Sequence, residues 1–311
     1  MRIGVDLMGS DTSPQDLFSA VALAVNVLPS TVTWEIYAPH SILSSLEFEA
    51  SKRVVFYPSG ESVTMEDNPQ SAFRNKKDAS LFLGIQRIRS QSIQGFVTAG
   101  NTGALILASA LFLEKLPGIK RPALLAILPR ITAPLVIVDA GGHISFKAHH
   151  FLQFAKMGAA CLKTFYSKPI PRVGLLNIGQ EMEKGHRELR LAWKLLSQET
   201  QEFSFVGNVE ARALFSEAID VLVTDGFTGN ILIKAAEGVA AELLSHLKDK
   251  VPEPIFHSLS KAYDYTQHPG AIVGGVQGTV MKCHGEATPK SFFASLKGCY
   301  ELCLSQNGSH T

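Results

Sequence analysis

Short runs of apolar and β-branched residues recur along the chain, separated by longer stretches with helical spacing. Residues 2–7, 33–37, 53–57, 95–98, 124–128, 135–138, 173–177, 204–206 and 220–224 read as strands. Most of these runs are continuously apolar instead of alternating, which predicts strands covered on both faces. Helices are expected between them, most clearly at 72–90, 149–165, 183–197 and 229–248. This alternation predicts an α/β fold in three layers, α/β/α, around a mostly parallel sheet. The chain reads as one domain over 1–311. Residues 271–282, with Gly274, Gly275 and Gly278, predict a β-hairpin, and 290–304 a closing helix. Pro252, Pro254 and Pro269 break any long helix across 249–269. A helical segment at about 243–268 is expected to protrude.

Ligands of open α/β sheets gather at the carboxyl ends of strands, so the strand exits carry the functional reading. One phrase occurs there twice. Thr98-Ala99-Gly100-Asn101-Thr102-Gly103 and Thr224-Asp225-Gly226-Phe227-Thr228-Gly229 both read T-x-G-x-T-G, and Asn230 extends the second. Each joins a strand run to an apolar helical pattern, at 105–113 and 231–237. Such a turn offers free N–H groups and hydroxyls at a helix start, where the helix dipole favours an anion. Two of them predict two walls of one anion site, with Asn101 and Asn230 expected to do more than cap their helices.

The other exits repeat the theme. Asp6 and Asp11 flank a glycine turn that needs at most one of them, which makes both candidates for lining a cleft; Ser13 and Pro14 then form a natural helix start. His143, after Asp139-Ala140-Gly141-Gly142, reads as a solvated loop histidine in preference to a proton-transfer group. After Asn177, residues 183–186 read as a helix opening, so Lys184 would stand against the dipole unless an anion neutralises it. The alternative is a surface lysine beside Glu181 or Glu183. Asn208, in Gly207-Asn208, is a candidate helix cap.

Composition removes several classes. A formal net charge of +1, with no long basic run, argues against nucleic acid. Cys161, Cys283, Cys299 and Cys303 form no C-x-x-C pair and read as reduced core thiols. Asp6 comes too early for a signal peptide, and the longest apolar run, 104–113, is half a membrane span. The expectation is a cytoplasmic protein, with peripheral attachment at the inner face of a membrane left open. No G-x-G-x-x-G follows a strand, and no Walker loop, G-x-S-x-G or H-E-x-x-H occurs. The adjacent His149 and His150 are expected to face different ways. No metal site and no cofactor are expected. Loops that suit phosphate without an evident nucleophile suggest that phosphate itself is the nucleophile.

Taken in order, 6–14, 98–104, 117–123, 175–181 with Lys184-Gly185, 207–210, 225–230 and His284-Gly285 resemble the bacterial phosphate acyltransferase family PlsX, over residues 1 to about 300. The chain departs from the family pattern at Ser10, usually glycine, and at Gly141-Gly142-His143, usually Gly-Ala-Asn. The resemblance implies transfer of a fatty acyl group from acyl carrier protein to inorganic phosphate for phospholipid synthesis. It also implies an isocitrate/isopropylmalate dehydrogenase-like fold, a homodimer, and supply of acyl phosphate to the membrane acyltransferase PlsY. A membrane-associated helical region corresponds to about 243–262, where Leu244, Leu247, Val251, Ile255, Leu259 and Ala262 keep helical spacing; a dimer-contact arm is the other reading. Lys184, Asp225 and Asn230 are the catalytic candidates. Asp6, Asp11, Asn101, Thr102, Gly103, Asn177, Asn208, Thr228, Gly229 and His284 are candidate phosphate or substrate contacts, with His186 and His284 as possible proton donors. The rival functions are a nicotinamide-dependent hydroxy-acid dehydrogenase on the same fold and a noncatalytic regulator that binds the carrier protein.

Overall fold

The computed structural model describes residues 1–46, 52–130, 133–143, 145–199, 201–264, 269–285 and 287–308. The chain divides into two compact units, one formed by Met1–Pro117 with His268–Thr311 and the other by Gly118–Gln267.

The first unit contains β1 (Arg2–Asp6), α1 (Pro14–Val27), β2 (Thr33–Pro39), α2 (His40–Leu43), β3 (Val54–Ser59), α3 (Pro69–Asn75), α4 (Ser80–Arg89), β4 (Gly95–Thr98) and α5 (Thr102–Phe112). The second contains β5 (Ala123–Leu128), β6 (Leu135–Val138), α6 (Ala148–Tyr166), β7 (Arg172–Leu176), α7 (Arg187–Gln198), β8 (Ser204–Val209), β9 (Val221–Val223), α8 (Gly226–Leu247) and α9 (Glu253–Tyr263). The chain then returns to the first unit as β10 (Ala271–Gly274), β11 (Thr279–Lys282) and α10 (Pro289–Gly308).

In the first unit the strand order is β3-β2-β1-β4-β11-β10, parallel except for the β10–β11 hairpin. Neighbouring residues of β4 show how the helices cover it. A Cβ on Gly95 would stand 2.5 Å from the Cys299 sulfur of α10, whereas the Phe96 ring fills the space beside Gly84 of α4. Successive strand residues face opposite ways, so α10 and α4 cover opposite faces. In the second unit the order is β5-β6-β9-β7-β8, parallel except for β5–β6. Val138 and Val221 pack on Gly158 of α6, while Ile137 and Leu222 pack with Leu214, Ile219 and Ile233 of α8. Each unit is therefore a helix–sheet–helix sandwich, as the apolar runs predict. The expectation of cover on both faces fails at β3 and β8, the end strands of the two orders, where Val55, Phe56 and Val206 are exposed.

Four helix boundaries differ from the spacing-based expectation. The stretch 72–90 is two helices, α3 and α4. Lys76 leaves helical geometry as its ammonium reaches the Asp67 carboxylate at 2.7 Å and the Ser62 carbonyl at 3.1 Å. Helix α7 begins at Arg187 instead of 183, because Gly185 takes a left-handed φ of +83°. Helices α5 and α8 begin earlier than expected, so the end of each repeated phrase, from Thr102 and from Gly226, already belongs to the helix. The prolines after α8 serve as a helix start, with Pro252 at the N-cap of α9 and Pro254 in its first turn. No residue of α9 is buried. The expected protruding segment at 243–268 takes in the end of α8 and α9, and residues 265–268 lie outside the described residues. No helix among the described residues is long and apolar enough to cross a membrane.

Candidate functional site

In the first unit, the parallel strands β1, β4 and β11 open onto one edge, bringing Asp6–Asp11, the 98–103 turn and His284-Gly285 together. The Asp11 N–H donates to the Gly285 carbonyl at 3.2 Å, and a Cβ on Gly9 would meet the Val63 carbonyl at 2.2 Å and Gly100 Cα at 3.4 Å. Asp11 is exposed there. Asp6 is buried and lines no surface, contrary to its expected place in a cleft. Its carboxylate accepts from the Met8 N–H at 3.0 Å and from Thr98 Oγ1 at 2.9 Å, and Thr98 Oγ1 in turn accepts from the Gly100 N–H at 2.9 Å. Burial pushes the Asp6 carboxyl up to about 6, against the lowering effect of these donors and of Lys282. Asp6 thus sets the shape of the repeated turn from beneath.

Asn101 is the N-cap of α5. Its Oδ1 accepts from the Ala104 N–H at 3.0 Å, and its Nδ2 donates to the carbonyls of Thr64 (3.0 Å), Met65 (3.3 Å) and Asp67 (3.0 Å). With every polar atom of the carboxamide committed, the side chain is a structural cap, against the expectation of a further role. What the turn leaves open is backbone: among the described residues, the N–H groups of Thr102 and Gly103 have no hydrogen-bond partner, and both residues are partly exposed.

In the second unit, the parallel strands β6, β9, β7 and β8 deliver the candidate residues to one edge. Asp225 caps α8, accepting from the Thr228 N–H at 2.9 Å and from its Oγ1 at 2.7 Å. Among the described residues, the N–H groups of Gly226 and Phe227 have no partner. Asn230 is exposed in this first turn, and Gly229 is buried beneath it. Asn177 and Asn208 organise the neighbouring loop. Asn177 Nδ2 donates to the Lys184 carbonyl at 3.0 Å and its Oδ1 accepts from the Ile178 N–H at 2.8 Å; Asn208 Nδ2 donates to the Glu181 carbonyl at 2.7 Å. Asn208 is a residue of β8 and caps no helix, because the strand continues through it to Val209. Its Oδ1 is buried without a partner among the described residues.

Lys184 lies in the turn before α7, outside the helix, so the dipole conflict inferred for it does not arise. It is exposed and forms no ion pair among the described residues, Glu181 and Glu183 included. His186 is the exposed residue at the N-cap of α7, with its ring 5.6 Å from that of Phe146. His149 and His150, expected to diverge, have ring centroids 4.2 Å apart. Among the described residues, no group of three His, Cys, Asp or Glu side chains is placed to hold a metal.

The spacing gave no weight to Asp139. Its carboxylate is buried, accepts from the Leu124 N–H at 3.0 Å and the Gly142 N–H at 2.9 Å, and lies 3.2 Å from Nδ1 of His143. His143 is therefore a carboxylate-held, largely covered histidine, its side chain 14% exposed, and not a solvated one. The only signal in the sequence is an acid at a strand exit four residues before a histidine.

The family model for the fatty acid synthesis protein matches residues 1–308. The phosphate acyltransferase of Chlamydia felis is 38% identical, over 98% of this chain and 96% of its own length. That of Clostridium perfringens (strain SM101) is 36% identical, over 94% and 90%. Among solved structures, a phosphotransacetylase from Streptococcus pyogenes superposes with a TM-score of 0.66 over 98% of this chain and 94% of that one; at 15% identity, it shows the shared fold alone. With a family match from end to end and relatives at this identity, the chain belongs to the fatty acid synthesis protein family, the family of the phosphate acyltransferases.

Proposed function

We propose that the chain transfers a fatty acyl group from the thioester of acyl carrier protein to inorganic phosphate, releasing acyl phosphate and the free carrier thiol. The observation that carries this reading is the edge of the second unit. A helix start with two N–H groups and an exposed Lys184, all without a partner among the described residues, stand at the exits of adjacent parallel strands, an arrangement suited to a small dianion. Phosphate at neutral pH is already nucleophilic, so the protein needs mainly to hold it against a thioester carbonyl and to stabilise the developing oxyanion.

In this reading Lys184 and Asn230 contact phosphate or oxyanion, and Asp225 fixes the α8 turn. Thr228, Gly229, Asn177 and Asn208 hold the surrounding backbone. In the first unit, the N–H groups of Thr102 and Gly103 offer a second set of anion donors, with Asp11 and His284 on the neighbouring loops. The enzyme acts as a homodimer and passes acyl phosphate to the membrane acyltransferase PlsY. Val239 and Leu243 of α8 and Ile255 of α9, all exposed, supply an apolar face for peripheral membrane contact.

Acyl carrier protein and coenzyme A thioesters of the same chain length, each given with phosphate, separate the carrier-specific reading from a general phosphotransacylase. Lys184→Ala should keep the fold and lose about 10- to 100-fold in kcat/KM for phosphate, the range for one charge-assisted hydrogen bond. Wild-type turnover in that variant would remove Lys184 from the mechanism.

A further inference from the structure

The proposed reaction moves a proton from the attacking phosphate to the departing sulfur. Hydrogenphosphate attacks the thioester carbon, a C–O bond forms and the C–S bond breaks. The proton lost by the phosphate oxygen equals the one gained by the departing carrier sulfur. We propose that His143, held by Asp139, relays that proton; the inference rests on the acyl-transfer reading above. Nε2 takes the proton from the attacking phosphate and returns it to the thiolate, so the imidazole ends each cycle as it began.

Three observations carry it. First, Asp139 is fully buried and fixed by two backbone N–H donors, so its free oxygen holds Nδ1 of His143 at 3.2 Å. A carboxylate on Nδ1 sets the tautomer in which Nε2 exchanges the proton, and it stabilises the imidazolium formed in transit. Second, the 139–143 loop is seated on the first turn of α8. A Cβ on Gly226 would stand 2.4 Å from the His143 carbonyl oxygen, one on Gly229 would stand 2.1 Å from that of Asp139, and one on Gly141 would lie 3.4 Å from Asn230 Cβ. The backbone of the loop that carries the histidine is thereby held against the turn that the proposed function assigns to phosphate. Third, the surroundings leave His143 as the histidine of this cluster with a carboxylate partner. His150 is pushed down to about 4 by burial and by the cationic influence of His149, Arg121, His143 and Lys147, and its Nδ1 already accepts from the Lys147 N–H at 3.0 Å. The charged and titratable groups around the relay are thus Asp139 on its own loop, Arg121 before β5, Lys147, His149 and His150 at the start of α6, and Asp225 at the α8 cap.

The test is the pH dependence of acyl phosphate formation by the full-length wild-type protein, His143→Ala and His143→Gly. Expected is a loss of about 100-fold or more in kcat for both variants, an unchanged KM for phosphate, and a pH profile that loses an ionisation present in that of wild type. Added imidazole should restore part of the His143→Gly rate, a response that a merely structural residue would not give. Wild-type kcat and pH profile in His143→Ala would overturn the relay. So would a slowed enzyme whose profile keeps the wild-type ionisation and whose glycine variant ignores imidazole. If wild type itself forms no acyl phosphate, the acyl-transfer reading falls and the relay falls with it, an outcome distinct from the other two.

Discussion

Replacing Asn101 with alanine separates a structural cap from a phosphate ligand. The carboxamide caps α5 through the Ala104 N–H and shares two Nδ2 hydrogens among three carbonyls of the 64–67 loop, all at a site only 6% exposed. Loss of an N-cap costs about 1 kcal/mol. Each of the two donor hydrogens adds roughly 0.5–1.5 kcal/mol, and the carbonyls they leave lie in a partly covered loop. The expected loss is therefore about 2–4 kcal/mol. For a unit of this size that lowers the melting midpoint by roughly 4–16 °C, at about 2–4 °C per kcal/mol. Asn101→Asp keeps the cap acceptor but turns a carboxylate towards three carbonyls, so it should rescue none of the loss. Calorimetry or circular dichroism melting reads both variants. A wild-type midpoint in Asn101→Ala, together with a raised KM for phosphate, would refute the cap and return Asn101 to the role of ligand.

Gly229→Ala gains about 1 kcal/mol of helix propensity, but its methyl would enter the space of the Asp139 carbonyl. A net loss of roughly 1–3 kcal/mol is expected, with lower turnover because the loop must shift; a stabilised, fully active variant would show that loop and helix do not touch. The Asp6 carboxyl is raised to about 6 in the fold, so its stabilising contribution is full below about pH 4 and is lost as pH rises through 6. This amounts to about 3 kcal/mol, and Asp6→Asn should flatten that part of the stability curve, whereas parallel curves would contradict the assignment. Asp220 has the opposite sign. Held at about 2 by Arg172 and Lys168 despite its burial, it contributes stability above about pH 4 that fades as pH falls towards 2, about 2 kcal/mol in all. Asp220→Asn should lose that at neutral pH and converge with wild type in acid, a flatter pH curve that melts across pH would show.

The strands are legible in the sequence because apolar and β-branched residues crowd into short runs, most with little polar interruption, and a buried parallel strand requires little else. Residues 95–98 and 135–138 match the structure end for end. Helix starts are less legible, because the deciding contacts lie far off in the chain. Asn101 caps α5 while also holding residues 64–67, and Lys76 ends α3 by reaching Ser62 and Asp67. Lys184 attracts notice through an assumed helix start that Gly185 moves downstream by its left-handed backbone. It stands out in the structure for a different reason, an exposed ammonium with no carboxylate partner among the described residues. The Asp139–His143 pair was hidden because loop residues four apart meet only when backbone donors from Leu124 and Gly142 fix the acid between them.

The central claim is that phosphate itself attacks the acyl thioester. Incubating the folded protein with acyl carrier protein thioester and inorganic phosphate, and following the mixture by phosphorus NMR with thiol titration, tests it most directly. An acyl phosphate resonance should grow in step with free carrier thiol, and hydroxylamine should convert it to the hydroxamate. Thiol released without any new phosphorus resonance would mean that water, not phosphate, is the nucleophile and would contradict the account.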